Sequence, residues 1–369
     1  MVFSAPDDHR DWALDKTARF VMFRVPHEHI LSPVIFDEIE EATERRATKE
    51  YRVFPIQQGK LLEDGCEIPV EEETGKAAGP LIKTARYIGN KWGGKYLRAP
   101  DIYWTILERG KGKLVRLGDV AQVRRGFTTG ANEFFYLDED SVTEWGVESC
   151  FLERVVKGPK ECRRIIVNPK EMSLRLFMCH EDRSQLKGTL ALEYVKWGES
   201  QGFNKRPTCR GRARWWDLGQ RDKAQINVNY LVDRVMRFFF SEQGFFVSDN
   251  FQEVHPKHKD KYQLAVSANS SILQLSANIA GRANFGDGLM KIQTYEVADL
   301  MILNPSLLGE KDCRTALAVA ERLDLEDDDR RTLDSIVFDA LGLTQGERDA
   351  VYEAVIGLVE ARLKKAVSV

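Results

Sequence analysis

The chain has few of the features that mark membrane, secreted or metal-stapled proteins. No apolar run approaches the roughly 20 residues needed to cross a bilayer. The N-terminal stretch containing Asp7, Asp8, His9, Arg10 and Asp11 has neither the apolar core nor the cleavage signal of an export peptide. Six cysteines (Cys66, Cys150, Cys162, Cys179, Cys209, Cys313) are widely scattered without a Cys-x-x-Cys pair. That pattern argues against a disulfide framework and against a structural zinc site. His27 and His29, and His255 and His258, lack cysteine or acidic partners at ligand spacing and read as surface histidines. The expectation is a cytoplasmic protein without a metal site.

Catalytic motifs are missing as well. The 12 prolines include no Pro-Pro pair. The (Asn/Asp)-Pro-Pro-(Tyr/Phe) loop that holds a flipped-out adenine for amino methylation is therefore absent. Phe285-Gly-Asp-Gly288 superficially suggests a glycine loop for S-adenosylmethionine, but it follows no hydrophobic strand and opens no clear helix, so it reads as an ordinary loop. No (Asp/Glu)-x-Lys tripeptide occurs to hold a nuclease metal beside a lysine. A Gly-x-Ser-x-Gly elbow and a phosphate-binding Gly-Lys-(Ser/Thr) loop are also lacking. No catalytic residue and no cofactor is expected in this chain.

What is present is a globular composition: 369 residues, 43% hydrophobic and 30% charged. This is enough for a sizeable core and two or three domains. The net charge of −3 hides an uneven distribution. Acids cluster at Glu71–Glu73 and between Asp324 and Asp329, while the middle carries a dense basic stretch.

Pattern reading predicts a strand at Phe20–Arg24, a charged helix over Phe36–Lys49 and a loop or linker from Leu62 to Pro80. A helix begins at Pro100–Asp101, with Ile102, Tyr103, Ile106 and Leu107 as its apolar stripe. Leu114–Arg125 reads as a strand and a helical turn. Further strands are expected at Arg164–Asn168, Leu174–Cys179, Phe238–Phe240, Phe245–Val247 and Leu300–Leu303, with one long helix over 261–280. The end is a helical hairpin: one stripe runs Leu333, Ile336, Val337, Ala340, Leu341 up to Gly342. A Thr344/Glu347 capping box then opens a second stripe at Tyr352, Val355, Ile356, Val359 and Leu363.

Two constellations carry recognition chemistry. The first is Asn204-Lys-Arg-Pro-Thr-Cys-Arg-Gly-Arg-Ala-Arg-Trp-Trp-Asp217, where Lys205, Arg206, Arg210, Arg212 and Arg214 crowd a stretch broken by proline and glycine. Guanidinium forks suit phosphate oxygens and guanine edges, and a loop can follow a groove. The competing reading is a solvated loop anchored to the core by its tryptophans. The second is Leu117-Gly-Asp-Val-Ala-Gln-Val-Arg-Arg-Gly-Phe-Thr-Thr-Gly-Ala-Asn132, with Arg124 and Arg125 ahead of a glycine-flanked turn bearing Thr128, Thr129 and Asn132. These side chains could bind phosphates or base edges, or could cap local backbone groups instead.

Together with Lys95-Tyr-Leu-Arg-Ala-Pro-Asp-Ile-Tyr103, the second constellation resembles the target-recognition region of Type IIG-like adenine-specific DNA methyltransferases of restriction–modification systems. It is also similar to the recognition domains of Type I specificity subunits. The likeness continues through Lys205-Arg-Pro-Thr-Cys-Arg-Gly-Arg212, Trp215-Trp-Asp-Leu218, Val247-Ser-Asp-Asn250, Gly281-Arg-Ala-Asn-Phe-Gly-Asp-Gly288, Gln293-Thr-Tyr-Glu-Val297 and Leu333-Asp-Ser-Ile-Val-Phe-Asp-Ala-Leu-Gly-Leu343, covering roughly residues 90–369. The resemblance implies an α+β fold with a curved, mostly antiparallel sheet, packed helices and a C-terminal helical hairpin. It implies residues 1–90 as a junction following a methyltransferase domain missing from this chain, 91–310 as the target-recognition domain and 311–369 as a helical segment. The implied function is sequence-specific binding of double-stranded DNA on behalf of a methyltransferase catalytic domain or subunit, with S-adenosylmethionine bound there. The alternative is a degenerate partner protein that binds a methyltransferase through its terminal helices and no longer reads DNA.

Overall fold

A computed structural model describes residues 14–30, 32–67, 86–87, 92–281 and 288–367. The Glu71–Glu73 cluster, most of the expected 62–80 linker and the interior of the Gly281–Gly288 motif lie outside these residues. Two compact units are present, Met1–Trp104 and Thr105–Val369.

In the first unit, β1 (Thr17–Phe23) pairs antiparallel with β3 (Tyr51–Gln57), and the short β2 (Arg46–Ala47) pairs with the other edge of β3. Tyr51 and Val53 are buried against Ile39 of α1 (Pro33–Glu41). That helix is shorter than the expected Phe36–Lys49. Proline suits its first turn. Its apolar stripe ends near Ala42, and beyond it Arg46 and Ala47 pair with Val53 and Arg52 instead. A second helix, α2 (Gln58–Gly65), occupies the start of the expected linker. Also in the first unit, β4 (Cys66–Glu67) pairs antiparallel with β5 (Arg86–Tyr87).

The second unit is built on a seven-stranded open sheet. Its strands are β7 (Ala121–Arg125), β8 (Tyr136–Leu137), β9 (Leu152–Val156), β10 (Arg175–Phe177), β11 (Ala224–Asn229), β13 (Phe238–Val247) and β14 (Phe251–Pro256), in the order β7-β14-β11-β13-β9-β10-β8. Outside this sheet β6 (Leu114–Arg116) pairs with β16 (Met301–Leu303), and β12 (Leu231–Val232) with β15 (Met290–Lys291). Every pairing is antiparallel except β13 with β9, where Phe246 faces Val155. The architecture is α+β with mostly antiparallel sheets, as the resemblance implies.

Three expectations change in detail. The two expected phenylalanine strands are a single strand, β13, whose register with β11 shifts between Ala224 and Ile226. Arg164–Asn168 forms no ladder and contributes only an isolated bridge from Ile166 to Phe240, since Pro169 follows and carries no amide proton to extend one. The long helix over 261–280 is two helices, Lys261–Asn269 and Ser271–Ala280, broken at Ser270. Asn269 and the two serines offer the backbone competing side-chain bonds there. The Asn269 amide holds both backbone groups of Phe238, and buried Asp334 accepts from the Ser271 N–H at 2.6 Å.

The helical end matches the pattern. Asp328–Leu341 closes on left-handed Gly342 at φ 72°. Thr344 and Glu347 then exchange the two capping bonds, with the Thr344 N–H donating to Glu347 at 2.8 Å and the Glu347 N–H to the Thr344 hydroxyl at 3.3 Å. Val351, Val355 and Val359 of the final helix Gln345–Val367 are buried, and Tyr352 nearly so.

Candidate nucleic-acid interface

The turn after β7 is shaped by close backbone approach. A Cβ at Gly126 would collide with the Ser248 carbonyl, so only glycine lets the chain lie against the strand end there. Phe127 then bonds the Val247 carbonyl at 2.9 Å and buries its ring against Phe246. Thr129 is buried; its hydroxyl donates to the Asn132 side chain and accepts the Ala131 N–H at 3.3 Å. Thr129 and Asn132 thus brace the turn they belong to, whereas Thr128 is exposed.

The basic stretch folds as a 3-10 turn at Phe203–Lys205 and one helical turn at Pro207–Arg210, not as open loop. Trp215 and Trp216 are buried as anchors. Several of its arginines have intramolecular partners. Arg206 forks onto Glu133 at 2.8 and 3.2 Å. Arg214 pairs with Asp217 at 2.6 Å and Asp182 at 2.7 Å. Arg212 donates to the Thr128 carbonyl at 2.8 Å and to the Trp215 carbonyl at 3.3 Å, with its guanidinium 5.4 Å from the centre of the Phe135 ring.

These contacts bring the two constellations together. The buried Cys209 thiol meets the Thr129 carbonyl at 3.5 Å, and a Cβ at Gly130 (φ +77°) would lie 2.6 Å from the Thr208 Cβ. Lys205 and Arg210 are exposed and have no side-chain partner among the described residues. Arg125 is half-exposed, stacked 5.0 Å from the Tyr230 ring and 3.8 Å from Asp249. Arg124 turns toward the sheet, paired with buried Glu253 and donating to the Asp222 carbonyl at 2.9 Å.

Two further cations border this surface and were not singled out in the sequence. Arg221 donates to the Arg125 carbonyl at 3.0 Å over the Phe127 ring, and Lys223 pairs with Glu153 at 2.8 Å. The only signal for them was their place just beyond the basic stretch, ahead of β11.

One carboxylate anchors the end of the basic stretch. Burial raises the pKa of Asp217, but bonds from Arg214, the Gly219 N–H and His180 outweigh it and hold the carboxyl below its ordinary value. Among the described residues no group of three or more His, Cys, Asp or Glu could hold a metal ion.

Residues 89–334 match the family model described as the C-terminal domain of Type II methyltransferase M.Eco57I. The chain belongs to this family. All of the candidate residues lie inside the matched range of the M.Eco57I-type domain. Type II methyltransferase M.AccI of Acinetobacter calcoaceticus is 22% identical over 230 residues, covering 58% of this chain and 42% of that protein. The chain therefore spans less than half the length of this relative. The solved type IIG restriction endonuclease BpuSI shares the fold at a TM-score of 0.53 and 14% identity, over 95% of this chain and 40% of that chain. The type IIL restriction–modification enzyme MmeI, solved in complex with DNA, aligns at a TM-score of 0.42 and 12% identity over 69% of this chain and 36% of that chain, too slight a likeness to add to the fold. No helix among the described residues is long and apolar enough to cross a membrane.

Proposed function

We propose that this M.Eco57I-type domain is a target-recognition module that grips double-stranded DNA and presents its site to an adenine-specific methyltransferase catalytic domain or subunit. The observation that carries this reading is the union of the Gly126–Asn132 turn with the Phe203–Asp217 stretch into one surface. Its inner arginines set the shape, and Lys205, Arg210, Arg125 and Thr128 face outward. Exposed cations hold phosphates, and a positioned hydroxyl or guanidinium can read base edges in a groove. Residues 91–310 form the recognition part and 311–369 its helical support, in the cytoplasm. Methyl transfer from S-adenosylmethionine belongs to groups outside this chain, which lacks the adenine-holding loop.

The test is selection of bound duplexes from a randomised pool by the purified chain, at low and physiological salt. An enriched motif supports recognition, and affinity should fall steeply with salt because phosphate contacts release counterions. Absence of duplex binding at both salts would overturn the reading.

A further inference from the structure

Lys223 also lines a cleft of about 300 Å³, together with Glu153, Arg154, Lys170, Arg175 and Phe245, among others. Its charge is lopsided. The one carboxylate, Glu153, is engaged by Lys223 at 2.8 Å. Arg154 on β9 and Arg175 on β10 stand directly opposite one another across the antiparallel pair. Like charges at such positions repel and are normally relieved by an acid. Neither arginine has a carboxylate within ion-pair distance among the described residues.

Both guanidiniums are instead held by a carbonyl-rich loop. Arg154 donates through Nη1 to the carbonyls of Lys170 and Met172, each at 2.8 Å. Arg175 donates through Nη1 to the carbonyls of Met172 at 2.8 Å and of Ser173 and Leu174 at 3.2 Å. One edge of each fork is thereby fixed, and Nε and Nη2 of both lack partners among the described residues. Burial, together with the neighbouring Arg154, lowers the pKa of Arg175 against an opposing pull from the Glu139 carboxylate. Lys170 is exposed at the rim without a partner among the described residues.

We propose that this cleft is a phosphate-binding site in which Arg154 and Arg175 present their free edges to one tetrahedral oxyanion and Lys170 adds charge from the rim. Paired forks of this kind match phosphate oxygens, and a bound anion removes the repulsion between the two arginines. The phosphate is either a backbone phosphodiester of DNA held at the neighbouring surface, in which case the inference rests on the recognition reading, or a free phosphate group. Arg221 borders the recognition surface and Lys223 the cleft, so the short segment between them joins the two.

The full chain and its Arg175→Gln and Lys170→Gln variants are titrated calorimetrically with inorganic phosphate, and separately with a duplex across a salt series. Phosphate is expected to bind the parent chain and to bind Arg175→Gln at least about tenfold more weakly. Lys170→Gln, which breaks no intramolecular bond, should also weaken it, so a folding defect cannot mimic the result. A duplex salt slope lower by about one in both variants assigns the phosphate to DNA. An unchanged slope with lost phosphate binding assigns a free phosphate group. Phosphate binding at the cleft by a chain that binds no duplex supports the cleft and overturns the recognition reading alone. Unaltered phosphate and duplex binding in both variants, or no phosphate binding together with an unaltered slope, overturns the cleft proposal.

Discussion

Arg212 donates to the carbonyl of Thr128 at 2.8 Å, across 84 residues of sequence. Through this bond and the Cys209–Thr129 contact, the turn after β7 and the basic stretch form one surface. Arginines near this surface therefore divide into those that build it and those that face outward, and substitutions should separate the two groups.

Replacing Arg212 with alanine removes two carbonyl bonds and the packing over Phe135, and should cost about 1–3 kcal/mol in denaturant unfolding. Replacing Arg210 should change stability by less than about 0.5 kcal/mol while lowering the duplex salt slope by about one. Equal stability losses in both would remove the distinction.

Gly130 has φ +77° and no room for a side chain, with the Thr208 Cβ 2.6 Å from where its own would lie. Gly130→Ala should destabilise by about 2–4 kcal/mol, combining left-handed strain with overpacking. Gly112 has φ +76° with open space around it, so Gly112→Ala should cost only about 1 kcal/mol. Thermal unfolding of the two variants side by side checks the contrast.

Asp334 is fully buried and accepts both the N–H and the hydroxyl of Ser271 at 2.6 Å, close to the equally buried Arg330. Asp334→Ala leaves that guanidinium without its nearest buried acid and the Ser271 amide without an acceptor. A loss of about 3–5 kcal/mol is expected. A variant as stable as the parent would show that the network is dispensable.

Asp217 is held below its ordinary carboxyl value, so its contribution to stability is present above about pH 4 and is lost as pH falls through the lower folded value. Asp217→Asn should lower stability at neutral pH and flatten the acid limb of a stability–pH curve. An acid limb unchanged by the substitution would show that other carboxyls govern it.

The final helix buries Val351, Val355 and Val359 within the chain, each worth about 1.5–3 kcal/mol on burial. Removing residues 345–369 should abolish the cooperative unfolding transition. A truncated chain that still folds, but loses a methyltransferase partner, would favour the alternative in which these helices are an interface.

Elements governed by local rules were legible in the residues themselves. The Thr344/Glu347 box and the Gly342 stop each follow from neighbours a few positions apart, whereas the tryptophans of the basic stretch are held by distant partners, Trp215 by the Phe134 and Phe135 rings and the Glu199 carboxylate. The order of the seven strands, the single long strand β13 and the break at Ser270 depended on distant groups: the Phe238 backbone for Asn269, and Asp334 for Ser271. The site divided in the same way. The residue types and the basic density could be read along the chain. Which arginines are tied and which are free was decided only by folding, since Glu133, Thr128 and Asp182 are far from Arg206, Arg212 and Arg214 in sequence. The same holds for the opposed Arg154 and Arg175, because strand register, not spacing along the chain, brings their charges face to face.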